Sequence, residues 1–168
     1  MIVSVATFGL MLAVSSAVSR SADPLIQEQA TTLARAYLAE AMSASFCDPS
    51  FNPDGSAATT CRAECTGRPC ASGCGGAVFG AESSRANYDD VCDYLGLSDV
   101  GARDRNGLSI ALLGAYTVNV SVLDQSSVTL GSPALDASSG QIVRVEVAVS
   151  HNALNAPIRI TAYKANLE

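Results

Sequence analysis

Residues 141–151 read QIVRVEVAVSH. Val143, Val145, Val147 and Val149 alternate with Arg144, Glu146 and Ala148, so an extended chain turns four valines to one side and the charged positions to the other. A helix, at 3.6 residues per turn, would scatter the same valines around its axis. The stretch therefore predicts a strand buried on one face.

Two further runs have the same period. In AYTVNVSV (115–122), Tyr116, Val118, Val120 and Val122 oppose Thr117, Asn119 and Ser121. In APIRITAYKA (156–165), Ile158, Ile160 and Ala162 oppose Arg159, Thr161 and Tyr163. Three such runs joined by turn-rich connections predict an antiparallel sheet over 108–168, apolar on one face only. That face needs a cover, and the chain offers one amphipathic segment.

The cover is an expected helix that extends to Ser45 or Phe46. Leu25, Gln29, Leu33 and Tyr37 fall in rows four apart, while Gln27, Glu28, Thr31, Arg35 and Glu40 face elsewhere. Asp23-Pro24 predicts a kink or restart, because Pro24 lacks an N–H and crowds the preceding turn. Upstream, Met1 to Ser19 carries no charged side chain. A bilayer core needs about 20 such residues. Ser4, Thr7, Gly9, Ser15 and Ser16 interrupt this segment, and small or hydroxylated residues let helices approach closely and bond to one another. Three readings of 1–19 stand side by side: a helix for assembly with other subunits, a plain single-span anchor, and a secretory signal cut after Ala17, which lacks the usual basic start.

Between these parts, residues 47–107 predict an irregular region, dense in Gly, Pro, Ser, Asn and Asp. A short helix or turn is expected around Tyr88 to Leu97. Cys47, Cys61, Cys65, Cys70, Cys74 and Cys92 are disulfide candidates, since a loop this long is uncommon without staples and the cysteine density suits an oxidising compartment. Six cysteines allow 15 connectivities. A tether between Cys47 and Cys92 would join the two ends of the loop. The C-x3-C-x4-C-x3-C spacing of Cys61 to Cys74 also fits four zinc ligands by number, though zinc knuckles more often use C-x2-C.

The 168 residues include 16 acidic and 10 basic ones, with no basic cluster to neutralise phosphates, so nucleic acid is not an expected partner. His151 is the single histidine and reads as a turn residue. No nucleophile context or phosphate loop is present, so neither enzyme activity, a cofactor nor a small-molecule substrate is expected. Asp89, Asp90, Asp93 and Asp99 offer hard oxygen ligands for calcium, but without EF-hand spacing they read as solvated acidic turns.

A long helix, apolar and then amphipathic, followed by an irregular loop and an antiparallel sheet, resembles the type IV pilins and their type II secretion relatives. VSRSADPLIQEQATTLARAYLAE (18–40), NYDDVCDYLGLSD (87–99), GAYTVNVSV (114–122) and VRVEVAVSHNALNAPIRITAYKANL (143–167) are similar to the minor pilins of mannose-sensitive haemagglutinin (MSHA) biogenesis. The resemblance implies an α+β, pilin-like fold: helix 1–46, with 1–19 in the inner membrane, packed on the sheet. It implies a structural subunit in pilus priming or at the tip, with other pilins as partners through the helix and a periplasmic head that later joins an extracellular fibre. It also implies that Met1 is internal to a precursor carrying a GFTLIE-like motif, since the chain begins where the motif glutamate would end. A type II secretion minor pseudopilin and a tip adhesin head that binds a surface ligand are the alternatives.

Overall fold

The computed structural model describes residues 24–46, 83–123, 129–136 and 142–165. A helix, α1, runs over residues 24–43. Six strands follow: β1 (Ser98–Val100), β2 (Tyr116–Leu123), β3 (Thr129–Leu130), β4 (Leu135–Asp136), β5 (Ile142–His151) and β6 (Ile158–Ala165). The described part is thus an α+β arrangement of one helix and a four-stranded antiparallel sheet in the order β1-β2-β5-β6, with β3 and β4 pairing separately. The three alternating runs are β2, β5 and β6, as their period required.

The register aligns the apolar positions across the sheet. Val118 faces Val149, Val120 faces Val147 and Val122 faces Val145, while Ile158 and Ile160 continue the rows on β6. These valines are buried, and each fully buried one stabilises the fold by about 1.5–3 kcal/mol. They pack with Ala30, Leu33, Ala34, Tyr37 and Ala41 of α1 in one core. The helix is therefore the cover the sheet needs.

Four expectations require correction. The sheet begins at β1, ten residues before the predicted boundary at 108, because Asp99 points into the covered face opposite Val118 with its charge satisfied there. The buried stripe of α1 is rotated from the predicted one: Leu25 is 56% exposed while Ala30 and Ala41 are fully buried. Alanine lets the helix lie close to a valine surface, so side-chain size did not select the packed face. The helix ends at residue 43, and Ser45 leaves it as an extended residue in a parallel bridge to Asp90. The far face of the sheet is not wholly polar, since Ile142 is fully buried there with Leu123 and Ala165 against it.

Lys164 closes the C-terminal end of α1. Its ammonium donates to the carbonyls of Met42 at 2.9 Å and Ala44 at 2.5 Å, which have no acceptor duty within the helix. Near the other end, the Tyr116 hydroxyl donates to Gln29 Oε1 at 2.6 Å. No helix among the described residues is long and apolar enough to cross a membrane.

Candidate functional site

The segment 84–97 lies where α1 ends and β1 begins, and two polar groupings form there. The first is built around Arg85, in a 3-10 turn over Arg85–Asn87. Its side chain is buried between α1 and β1. Nε donates to Glu40 Oε1 at 3.0 Å, Nη2 to Glu40 Oε2 at 2.7 Å, and Nη1 to Asp99 Oδ2 at 2.5 Å. The planar fork of a guanidinium suits such two-point contact with a carboxylate. The guanidinium carbon also lies 4.5 Å from the centre of the Tyr37 ring.

Tyr37 and Glu40 are three residues apart on α1 and so share a face. The Tyr37 hydroxyl donates to Asp99 Oδ2 at 2.7 Å and accepts the Arg103 N–H at 2.7 Å. Tyr94 donates to Glu40 Oε1 at 3.2 Å, and Arg103 Nε stands 3.7 Å from Asp99 Oδ1. Two carboxylates meet two guanidiniums, so the charges balance within the cluster.

The electrostatics oppose proton transfer at neutral pH. Burial pushes the Tyr37 phenol up, with hydrogen bonds from Arg85 and the Arg103 N–H pulling the other way. Burial and the Glu40 charge push Tyr94 up further. Burial alone would lower the Arg85 guanidinium, but the hydrogen bonds and charge of Glu40 outweigh it and hold the cation firmly. The arrangement can clamp the helix to the sheet margin. Sequence reasoning misses it: Glu40 falls outside the row of Leu25, Gln29, Leu33 and Tyr37, and Arg85 carries no periodic signal. A glutamate three residues after a buried tyrosine was the available hint.

The second grouping holds Asp89, Asp90 and Asp93, with ligand-type oxygens within 4.8 Å of one another. Asp90 and Asp93 are buried, which corrects the expectation of solvated turns. Asp93 Oδ2 accepts the N–H groups of Asp89 at 2.9 Å and Asp90 at 3.0 Å, and Asp90 Oδ1 accepts the N–H of Cys92 at 2.5 Å. These carboxylates shape the turn that leads into the 3-10 helix Cys92–Tyr94. Asp99, grouped with them on sequence, belongs to the Arg85 cluster. His151 ends β5, with its ring 4.6 Å from that of Tyr116 and its Nδ1 accepting the Ala153 N–H.

Cys92 is buried and disulfide-bonded. The other disulfide candidates, Cys47, Cys61, Cys65, Cys70 and Cys74, lie outside the described residues, as do Ser4, Thr7, Gly9, Ser15 and Ser16 of the expected assembly segment. A different surface is marked by Val100, Leu108 and Leu112, large apolar side chains left exposed. Leu112 stands at φ 69°, in the third position of a turn closed by Leu113 N–H to Ile110 O at 3.3 Å.

Fold and site together define an α+β unit in which one helix is clamped by buried charge to the margin of an antiparallel sheet. No protein-family model matches the chain, and no curated protein or solved structure matches it.

Proposed function

We propose that the chain is a structural subunit of a type IV pilus of the MSHA kind, a minor pilin that primes or caps the fibre. The observation that carries this reading is the burial of one face of α1 on the sheet, together with a segment earlier in the sequence, 1–19, that has no charged side chain. In this reading α1 is the lower part of a stalk whose upper part is 1–19, and burial of α1 on the sheet gives the sheet a fixed place beside that stalk, which is what a subunit needs if its neighbours are to pack against it. The sequence resemblance to the MSHA biogenesis protein MshD supports the same reading.

The proposed mechanism is packing. Residues 1–19 rest in the inner membrane before assembly, with the head in the periplasm, and then move among neighbouring pilin helices. Lipid tails are as apolar as the helix, so the exchange changes hydrophobic burial little. Close approach at Ser4, Gly9, Ser15 and Ser16, and hydrogen bonds from Thr7, would favour the assembled state.

The test has a genetic and a physical part. The reading frame upstream of Met1 is expected to encode a short basic leader and a GFTLIE-like motif. The extended chain, expressed with a reconstituted pilus assembly system and its prepilin peptidase, is expected in the sheared fibre fraction at low abundance. A frame without the motif, together with no fibre incorporation, would overturn the proposal. Incorporation into a type II secretion pseudopilus instead would assign the chain to the minor pseudopilins.

A further inference from the structure

α1 enters the fold at one end of the sheet and leaves it at the other. The Tyr116 hydroxyl, at the start of β2, reaches Gln29 in the second turn of the helix, whereas Lys164, opposite Val143 where β5 begins, meets the last helical carbonyls. The connection from β1 to β2, residues 101–115, therefore lies at the end of the sheet where α1 starts.

Large apolar side chains are left in solvent at this end. Val100, opposite Thr117 and one step from the start of β2, is 77% exposed, Leu25 in the first turn of α1 is 56% exposed, and Leu112 is 99% exposed. Leu112 is costly in two ways: its side chain keeps its surface in water, and its φ of 69° lies in the left-handed region that disfavours L-residues. The turn is anchored without it, because the adjacent Leu113 packs against the core and its carbonyl accepts the Ala102 N–H at 3.2 Å. Strain held at an exposed apolar residue points to a contact made outside the fold.

The chain itself indicates the occupant. Residues 1–19 have no charged side chain and are about the length that crosses a bilayer. Arg20 to Asp23 alone separate them from Pro24, where α1 begins, and four residues span at most about 14 Å. With 1–19 in the membrane, the first turn of α1 stands at the lipid surface, and the Leu112 end of the sheet stands there with it.

We propose that Leu112, with Val100 and Leu25 at the same end, dips into the boundary between headgroups and acyl chains of a phospholipid bilayer and seats this end of the fold on the membrane. The side chain leaves water there, as the apolar residues of surface-bound anchors do. The proposal rests on the reading of 1–19 as a membrane segment and adds a second point of contact, which fixes the tilt of the sheet over the bilayer.

The chain has no tryptophan, so a single introduced one reports on its own surroundings. Full-length Leu112→Trp, Phe8→Trp and Leu130→Trp chains are each reconstituted into phosphatidylcholine vesicles made with plain or acyl-brominated lipid, whose bromine quenches tryptophan at close range. Leu130 belongs to β3, which follows the far end of β2. Quenching and blue-shifted emission are expected for Leu112→Trp and Phe8→Trp, and neither for Leu130→Trp. Quenching in Phe8→Trp without Leu112→Trp would overturn the lipid contact and leave the membrane segment standing. Quenching in Leu112→Trp without Phe8→Trp would uphold the contact and remove 1–19 from the bilayer. No quenching in either would overturn both, and equal quenching in Leu112→Trp and Leu130→Trp would overturn the seating of this end. Val100→Trp gives the same reading from β1 if Leu112→Trp folds poorly.

Discussion

Arg85 grips Glu40 at two points, Nε on Oε1 at 3.0 Å and Nη2 on Oε2 at 2.7 Å, across 45 residues of chain. Removing the cation leaves the part-buried Glu40 with the Tyr94 hydroxyl and the buried Asp99 with the Tyr37 hydroxyl and the more distant Arg103, and breaking a buried pair costs about 3–5 kcal/mol. Arg85→Met is expected to lower stability by that amount in urea unfolding of the full chain. Arg85→Lys should recover little, because an ammonium cannot reproduce the fork. A change below ~1 kcal/mol in Arg85→Met would show that the clamp is energetically idle.

Alkaline pH should unfold the protein earlier than its charge balance suggests. Tyr37 and Tyr94 titrate above the ordinary phenol value of about 10 when folded, through burial and, for Tyr94, the Glu40 charge. Above pH ~10 the unfolded chain has lost phenolic protons that the folded chain keeps, so it binds fewer protons and stability falls as pH rises. The stabilisation is fully present below pH ~10 and disappears as pH climbs through the raised values. Urea midpoints at pH 9 and 11 are expected to differ more in the parent than in Tyr37→Phe/Tyr94→Phe.

Lys164 ties β6 to the last carbonyls of α1. Lys164→Met keeps the aliphatic stem and deletes the donors, and charge-assisted bonds of this kind contribute about 1.5–3 kcal/mol. A loss in that range is expected, with amide exchange accelerating first at residues 40–44. Uniform acceleration across the sheet would argue against a local tie.

Leu112 occupies a backbone region that costs a branched L-residue about 1–2 kcal/mol, and its side chain is 99% exposed. Leu112→Asn should therefore stabilise the fold by about 0.5–1 kcal/mol, since asparagine tolerates that conformation. Thermal melting reads the change; a lower Tm would mean that the leucine makes a contact worth more than the strain.

Cys92→Ser removes a cross-link from a well-packed position. Loop closure in the unfolded chain makes such a bond worth about 2–4 kcal/mol. The variant is expected to melt correspondingly lower without reductant, and to match the parent once both are fully reduced.

The sheet was legible because its code is local. Val143 to Val149 and Tyr116 to Val122 state their own face by period two, and no distant partner is needed to read them. β1 was not legible, since three residues with a central aspartate make sense only after Arg85 and Tyr37 arrive. The clamp joins positions 37, 40, 85 and 99, each ordinary in its own neighbourhood; their meeting is a property of the fold. The helix lay between these cases: Leu33 and Tyr37 marked the packed face, whereas the buried alanines 30, 34 and 41 carried too little apolar mass to set the phase.

The helix is fastened at both margins of the sheet, by Arg85 and Asp99 at β1 and by Lys164 at β6. Tension drawn along its axis would reach the two outermost strands together. Peeling from one side is thereby denied a free starting point.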